Sequence, residues 1–250
     1  MNHPFTQRLT LKMLTMNIHA GVGWHGQFCP EKLVDFIKEV NPDLCGFQEV
    51  DSKWSWRSRF YELDGFLAQG LMMHPVFAPA LTHPVGAYGN LILSKFPIAA
   101  SWVEKMPGRG EPRSFCCVQP DIPGVRILFL TTHLGLSVED RKVQAECIRA
   151  FLRGRREPVI LTGDFNADRD EASIRILKAG LYDCHLWGAW RVNGTFRLKD
   201  GSIGPRIDYL LLTPQFRLRR YRVFDNFLSD HLPVFAEVAL DFHPTGENQA

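Results

Sequence analysis

Six cysteines occur in 250 residues and no two form a CxxC pair, so no clustered thiolate site is encoded. Cys116 and Cys117 are adjacent and, on a strand, would point to opposite faces; free buried thiols in a reducing compartment are predicted. No apolar run approaches the length of a membrane span, and the start, Met1 to Arg8, lacks a continuous apolar segment before its first charge. A cytoplasmic protein is therefore expected. Net charge is also scarce: 29 Lys and Arg against 27 Asp and Glu leave +2, which demands neither nucleic acid nor an anionic membrane as partner. Arg149, Arg153, Arg155 and Arg156, and again Arg217, Arg219, Arg220 and Arg222, read as solvated faces. No repeat, low-complexity tract or linker divides the chain. We expect a single domain over residues 1–242, a disordered tail over 243–250, and a monomer.

What is present is apolar sequence in quantity, 45% against 22% charged, enough for a sizeable core. Residues 9 to 19 alternate and then run apolar, predicting a strand that delivers Asn17 and His19 to its end. Pro30, the stripe Leu33, Phe36, Ile37 and Val40, and the stop at Asn41-Pro42 predict a core-facing helix. A strand over 43–50 ends near Glu49. Residues 52 to 87 hold no sustained period and are predicted as a long excursion over the catalytic face. A strand from Gly89 to Ser94 follows, then a loop rich in Gly and Pro up to Pro112. Strands at 113–119 and 125–132 are joined by Pro120-Asp121-Ile122-Pro123-Gly124, the second leading into His133. Ser137 and Asp140 resemble a cap for a helix reaching about Arg153; a strand from Pro158 runs into Gly163-Asp164-Phe165-Asn166, and a second helix spans about Glu171 to Lys178. Strands at 206–212, 221–224 and 234–240 complete the pattern. More strands than helices excludes a simple alternating βαβ array and predicts an α/β fold of two packed sheets flanked by helices.

Polar groups collect where apolar strands end: Asn17, Glu49, His133, Asp164, Asn166, Asp208, Asp230 and His231. Singly, each has a plain alternative, since Asp and Asn favour turns and a histidine can be satisfied by backbone. Jointly, acids and amides with two imidazoles suit Mg²⁺, with Mn²⁺ as a substitute, and the absence of clustered Cys and His ligands argues against zinc.

In chain order, Thr15-Met16-Asn17-Ile18, Phe47-Gln48-Glu49-Val50, Gly89-Asn90 with Leu93-Ser94, Thr132-His133-Leu134, Thr162-Gly163-Asp164-Phe165-Asn166, Arg206-Ile207-Asp208-Tyr209 and Ser229-Asp230-His231 resemble the motifs of the endonuclease/exonuclease/phosphatase superfamily, the DNase I-like fold. The resemblance covers residues 9 to 240 and is closest to compact bacterial single-domain members. It implies a four-layer α/β-sandwich and metal-dependent attack of water on a phosphate ester. It implies further that Glu49 is the principal metal ligand, with Asn17 beside it and Asp230 as an additional acid. Asp164 and Asn166 would orient water and phosphate oxygens, His231 held by Asp208 would be general base or phosphate stabiliser, and His133 would be the second imidazole. His19 stands where abasic-site endonucleases carry an acid and DNase I an Arg, which points away from DNA repair. Tyr88, before Gly89-Asn90, receives no role. The expected activity is Mg²⁺-dependent hydrolysis of a phosphodiester, nucleic acid being one candidate. The alternative is a phosphatase or phosphodiesterase of a lipid or small phosphorylated molecule. A non-catalytic binding module is less well matched, because the whole set of groups is kept.

Overall fold

The computed structural model describes residues 6–187 and 194–242; the tail expected to be disordered lies outside them. The elements run β1 (Gln7–Asn17), α1 (Pro30–Val40), β2 (Leu44–Ser52), α2 (Leu63–Leu71), β3 (His74–His83), β4 (Gly86–Ser94), β5 (Ile98–Met106), β6 (Arg113–Pro120), β7 (Leu128–His133), α3 (Val138–Leu152), β8 (Val159–Asp164), α4 (Ala172–Leu177), β9 (Tyr182–Asp183), β10 (Asp208–Leu212), β11 (Phe216–Val223) and β12 (Val234–Phe242). They form two six-stranded sheets, ordered β11-β12-β1-β2-β4-β3 and β5-β6-β7-β8-β10-β9. Each is mixed, with one parallel pair near its centre, β1 with β2 and β7 with β8.

Period-two alternation explains the layers. Along β1, Leu11 and Met13 enter the core between the sheets, while Leu14 and Met16 face α1 and α2. Along β8, Ile160 faces the other sheet and Leu161 faces α3 and α4. Central strands buried on both faces read as unbroken apolar runs, and the three resulting apolar layers define the four-layer α/β-sandwich. Cys116 packs between the sheets and Cys117 under the helices, and all six cysteines are free. Of the helices, α1 begins on Pro30, buries Leu33, Val34 and Ile37, and stops at Asn41 in the left-handed region. α3 is capped by Ser137, whose hydroxyl accepts from the Asp140 N–H at 3.1 Å.

The strand expected at 221–224 is longer, running as β11 from Phe216, and three further expectations fail for local reasons. The excursion over 52–87 contains α2 and β3. α2 carries Gly65 and Gly70 and has no side-chain cap at Glu62, so propensity hides it. β3 holds Pro75 and Pro79, which an edge strand tolerates because one row of its N–H groups has no ladder partner. The loop expected from Pro97 to Pro112 begins as β5, the edge of the second sheet, and its Gly and Pro cluster lies only beyond Met106. The strand expected from Val125 begins at Leu128, because Val125 closes a bridge with Ile122 instead.

Beneath the mouth of the sandwich the sheets approach closely. A Cβ on Gly46 would lie 2.6 Å from Thr131 Oγ1 and 2.7 Å from Thr162 Oγ1, so a hydrogen is all that fits there. Gln48 Nε2 crosses the gap, donating to Thr131 Oγ1 at 2.8 Å and to Thr15 Oγ1 at 3.2 Å.

Candidate active site

Strand direction brings the polar ends together. The parallel pairs β1/β2 and β7/β8 all finish at one edge of the sandwich, carrying Asn17, Glu49, His133 and Asp164. Strands antiparallel to them begin at that edge: β10 starts with Asp208 directly opposite Asp164, and β12 is preceded by Asp230-His231. On the other side of β8, His133 also registers with Asp164. The cross-strand row His133, Asp164, Asp208 is thus fixed by sheet pairing. The seven positions that supply strand ends, and Asn166 two residues past β8, occupy a single edge.

Glu49 owes its position to a β-bulge. Pairing of β2 with β4 slips between Phe47 and Val50, and Glu49 sits at φ 54°. A non-glycine residue in the left-handed region costs on the order of 1–2 kcal/mol, and here the distortion turns a carboxylate out of the ladder. Asn17 Nδ2 donates to Glu49 Oε1 at 3.0 Å and to Asp164 Oδ2 at 3.1 Å, joining the two sheets' acids. Arg57 Nη1, from a 3-10 turn at Trp56–Ser58, donates to Glu49 Oε2 at 3.1 Å. That turn is tied down by Asp51, fully buried, which accepts from the hydroxyls of Ser55 and Ser58.

The two imidazoles are held in opposite states. Arg113 Nη1 lies 3.1 Å from His133 Nδ1; a guanidinium can only donate, so Nδ1 accepts and the ring proton sits on Nε2, facing Asp164 Oδ2 at 3.3 Å. Burial, then the Arg113 charge and His231, push the His133 pKa well below its ordinary value, which fits a neutral ring. His231 turns Nδ1 to Asp208 Oδ2 at 2.9 Å and Nε2 to Asp164 Oδ2 at 3.6 Å. Burial lowers its pKa, but the carboxylates of Asp208 and Asp164 outweigh burial and raise it to about 10, so the imidazolium is favoured. Asp164 is raised by burial, Asp208 adding and His231 opposing, which makes it a stronger base than an exposed carboxylate. Phe196 meets His231 edge to face at 5.0 Å and shields it.

Asp230 completes the mouth. Burial raises its pKa, yet the hydrogen bond from His19 and the charges of His231 and His19 hold it at about 2, so it is ionised at neutral pH. Ser229 Oγ donates to the Asn17 carbonyl at 2.8 Å and accepts from the His231 N–H at 3.2 Å, which fixes the Asp230-His231 step against β1. Asn166, at φ 49°, donates its N–H to Asp164 Oδ1 at 3.0 Å and its Nδ2 to the Leu134 carbonyl at 3.0 Å.

These groups open into a cleft of about 600 Å³, lined by Glu49, His133, Asp164, Asn166, Asp230 and His231; Asp208 lies behind His231 and Asn17 behind Glu49. Sequence reading missed Arg57 and Arg113 and left Tyr88 aside, although all three line the cleft. Arg113 had a signal: it opens a strand antiparallel to the one that ends in His133, the same rule that found Asp208. Arg57 had none.

Two donor sets could hold a cation. Ligand atoms of Asp164, Asp208 and His231 all fall within 4.8 Å of one another, but the ring already bonds Asp208 and carries the positive charge these acids require. The outer set presents the Glu49 and Asp230 carboxylates at the cleft, Asp230 ionised and Glu49 Oε2 held by a partly exposed guanidinium, with Asn17 buried behind them, its Oδ1 accepting from the His19 N–H and its Nδ2 turned to Glu49. Its two carboxylates are hard oxygen donors open to the cleft, the ligand type that divalent cations such as Mg²⁺ take.

A family model, endonuclease/exonuclease/phosphatase, matches residues 14–231. The chain belongs to that family. Its members generally hydrolyse phosphate ester bonds with a divalent metal. The uncharacterized protein YbhP of Escherichia coli (strain K12) is 28% identical over 261 positions, 94% of this chain and 98% of YbhP. Among solved structures, the family member from Beutenbergia cavernae DSM 12333 has a TM-score of 0.79 at 24% identity, over 95% of this chain and 73% of that one. The mannosyl-6-phosphatase of Bacteroides thetaiotaomicron VPI-5482 has a TM-score of 0.74 at 21% identity, over 91% and 99%. Both likenesses show the family's sandwich.

Proposed function

We propose that this protein is a Mg²⁺-dependent phosphoesterase, with Mn²⁺ able to substitute, that hydrolyses a phosphodiester by attack of water. The observation that carries the reading is the His231–Asp208 pair facing Asp164, which Asn17 Nδ2 ties to Glu49. Glu49, Asn17 and Asp230 would hold the metal, which when bound offsets the charge that develops on the phosphate oxygens. The chain's own residues do the rest. Asp164 and Asn166 orient the water, and the raised pKa of Asp164 suits its carboxylate to take the water proton. Asp208 holds the His231 ring with Nε2–H beside Asp164 Oδ2 at the cleft, where an imidazolium stabilises negative charge on a bound phosphate. His133, neutral, presents a second ring N–H to the same place. Water forms the new P–O bond, the ester P–O bond breaks, and the alcohol oxygen leaves with a proton from His231 or solvent.

A phosphatase acting on a small phosphorylated molecule is the second reading, supported by the cleft's modest size and by likeness to a sugar phosphatase. No described helix is long and apolar enough to cross a membrane, and six free thiols suit a reducing compartment, so we place the activity in the cytoplasm. The test is hydrolysis of bis(p-nitrophenyl) phosphate and p-nitrophenyl phosphate by the full chain with Mg²⁺, with Mn²⁺ and with EDTA. Activity on the diester that EDTA abolishes is expected; activity on the monoester alone selects the second reading. EDTA-resistant turnover, or none on any phosphate ester, overturns both.

A further inference from the structure

Two tryptophans stand two residues apart beside Glu49, and only one is used by the fold. Trp54 stacks on His83 with ring centroids 4.7 Å apart and tilts against Tyr88 at 6.5 Å. Trp56 is 82% exposed and makes no ring contact with any described residue, although it lines the same cleft as Glu49 and His231. Leu136, 76% exposed, follows β7 and lines that cleft too. Scattered apolar residues on a surface require no explanation, but two at the mouth of one polar cleft do.

The segment that carries Trp56 is also built to stay in place. Asp51 accepts from Ser55 and Ser58 on either side of it, the Phe60 N–H donates to the Ser55 carbonyl at 2.8 Å, and the Arg59 N–H to the Trp56 carbonyl itself at 2.9 Å. Arg57, the next residue, is bound to Glu49. The backbone that carries the indole is held in place beside the Glu49 carboxylate, so a ring that stacks on it has only the Trp56 side-chain torsions to order.

We infer that Trp56, with Leu136 on the same cleft, is a specificity-determining residue that receives a flat ring face on the organic part of the substrate, as a nucleobase or a sugar presents, next to the phosphate. The inference rests on the phosphoesterase reading for the place of the phosphate, but its ring subsite can be measured without turnover. Three phosphate esters serve as probes: a nucleoside 5′-monophosphate, a hexose 6-phosphate, and ring-free glycerol phosphate. Calorimetric binding of each to the full chain and to its Trp56→Ala and Trp56→Phe variants reads the subsite, and hydrolysis of each with Mg²⁺ reads the chemistry.

The wild type binds a ring-bearing ester more tightly than glycerol phosphate. Trp56→Ala weakens that ester on the order of tenfold, the scale of one aromatic stacking contact, and changes glycerol phosphate less than twofold. Trp56→Phe restores most of the loss, and whether the nucleotide or the sugar phosphate suffers more identifies the ring. Equal binding of all three esters by the wild type, or an equal loss on all three in Trp56→Ala, overturns the subsite. Ring-selective binding with no hydrolysis of these monoesters or of bis(p-nitrophenyl) phosphate keeps the subsite and overturns the phosphoesterase reading instead.

Discussion

Asp208→Asn is the sharpest perturbation of the site, because it changes one charge and almost no volume. Asp208 is fully buried, and its Oδ2 accepts from His231 Nδ1 at 2.9 Å while Oδ1 has no hydrogen-bond partner among the described residues. The amide can still accept from the ring, so what disappears is the carboxylate that raises the His231 pKa. A charge-assisted buried bond contributes about 1.5–3 kcal/mol, but the variant is also relieved of an anion with one unpaired oxygen, so we expect a net stability loss of about 1–2 kcal/mol. Turnover should fall much further, by about 10²- to 10⁴-fold, because at neutral pH the ring no longer holds its second proton. His231→Ala should lose as much, and the double variant little more than His231→Ala alone, since the pair acts as a unit. The assay is hydrolysis of a phosphate ester at saturating Mg²⁺, with denaturant unfolding of each variant alongside.

The stability data carry a second signature of the same pair. A group whose folded pKa is raised contributes stability that is fully present below its unfolded pKa and lost as pH rises through its folded one. For His231 that window runs from 6.5 to about 10. The stability gap between wild type and Asp208→Asn should therefore be widest below pH 6.5 and shrink toward pH 10. Multiplicative rate losses in well-folded proteins would refute the pairing, as would a gap independent of pH.

Other expectations test the frame around that pair. Glu49→Gln should abolish most metal-dependent turnover while leaving the protein folded; Mg²⁺ at about 100 times its Kd should stabilise the wild type by about 2.7 kcal/mol against unfolding and the variant far less, and an equal rise in both would remove Glu49 as the principal ligand. Gly46→Ala should cost about 1–3 kcal/mol in urea denaturation, because its Cβ would meet the Thr131 and Thr162 hydroxyls at 2.6 and 2.7 Å and the sheets would have to part; an unchanged midpoint would show that the gap opens freely. Glu171→Gln should cost about 1 kcal/mol at pH 7, because Arg141 holds the Glu171 carboxylate from two nitrogens and lowers its pKa from 4.5. A lowered carboxylate pKa contributes stability present above the unfolded value and lost as pH falls through the folded one, so this difference should close below about pH 4.5 in acid unfolding.

What sequence could show of this protein depends on whether a residue's job is set by its own strand or by a neighbour. Asn17, His133, Asp164 and Asp208 were legible because apolar runs mark the central strands and each strand delivers its terminal polar group to the edge by direction alone. Strands at the sheet margins, β3 and β5, were not, since an edge tolerates prolines and exposed residues that erase the pattern. The bulge at Glu49 left no trace either: nothing in Phe47-Gln48-Glu49-Val50 announces a φ of 54°, yet that angle turns the carboxylate toward Asn17 and Arg57.

The protonation states were hidden for a related reason. His133 and His231 look alike in sequence, each a histidine beside the mouth of the sandwich. Arg113, twenty residues away, donates to the Nδ1 of one and favours its neutral form, and Asp208, twenty-three away, accepts from the Nδ1 of the other and favours its cation. Cross-strand pairing put a cation against one ring and an anion against the other, so two identical side chains acquired opposite charge states over a shared acceptor, Asp164 Oδ2. If the phosphoesterase reading holds, that asymmetry sets one charged and one neutral ring beside the phosphate's place in the cleft, without two adjacent imidazoliums repelling each other.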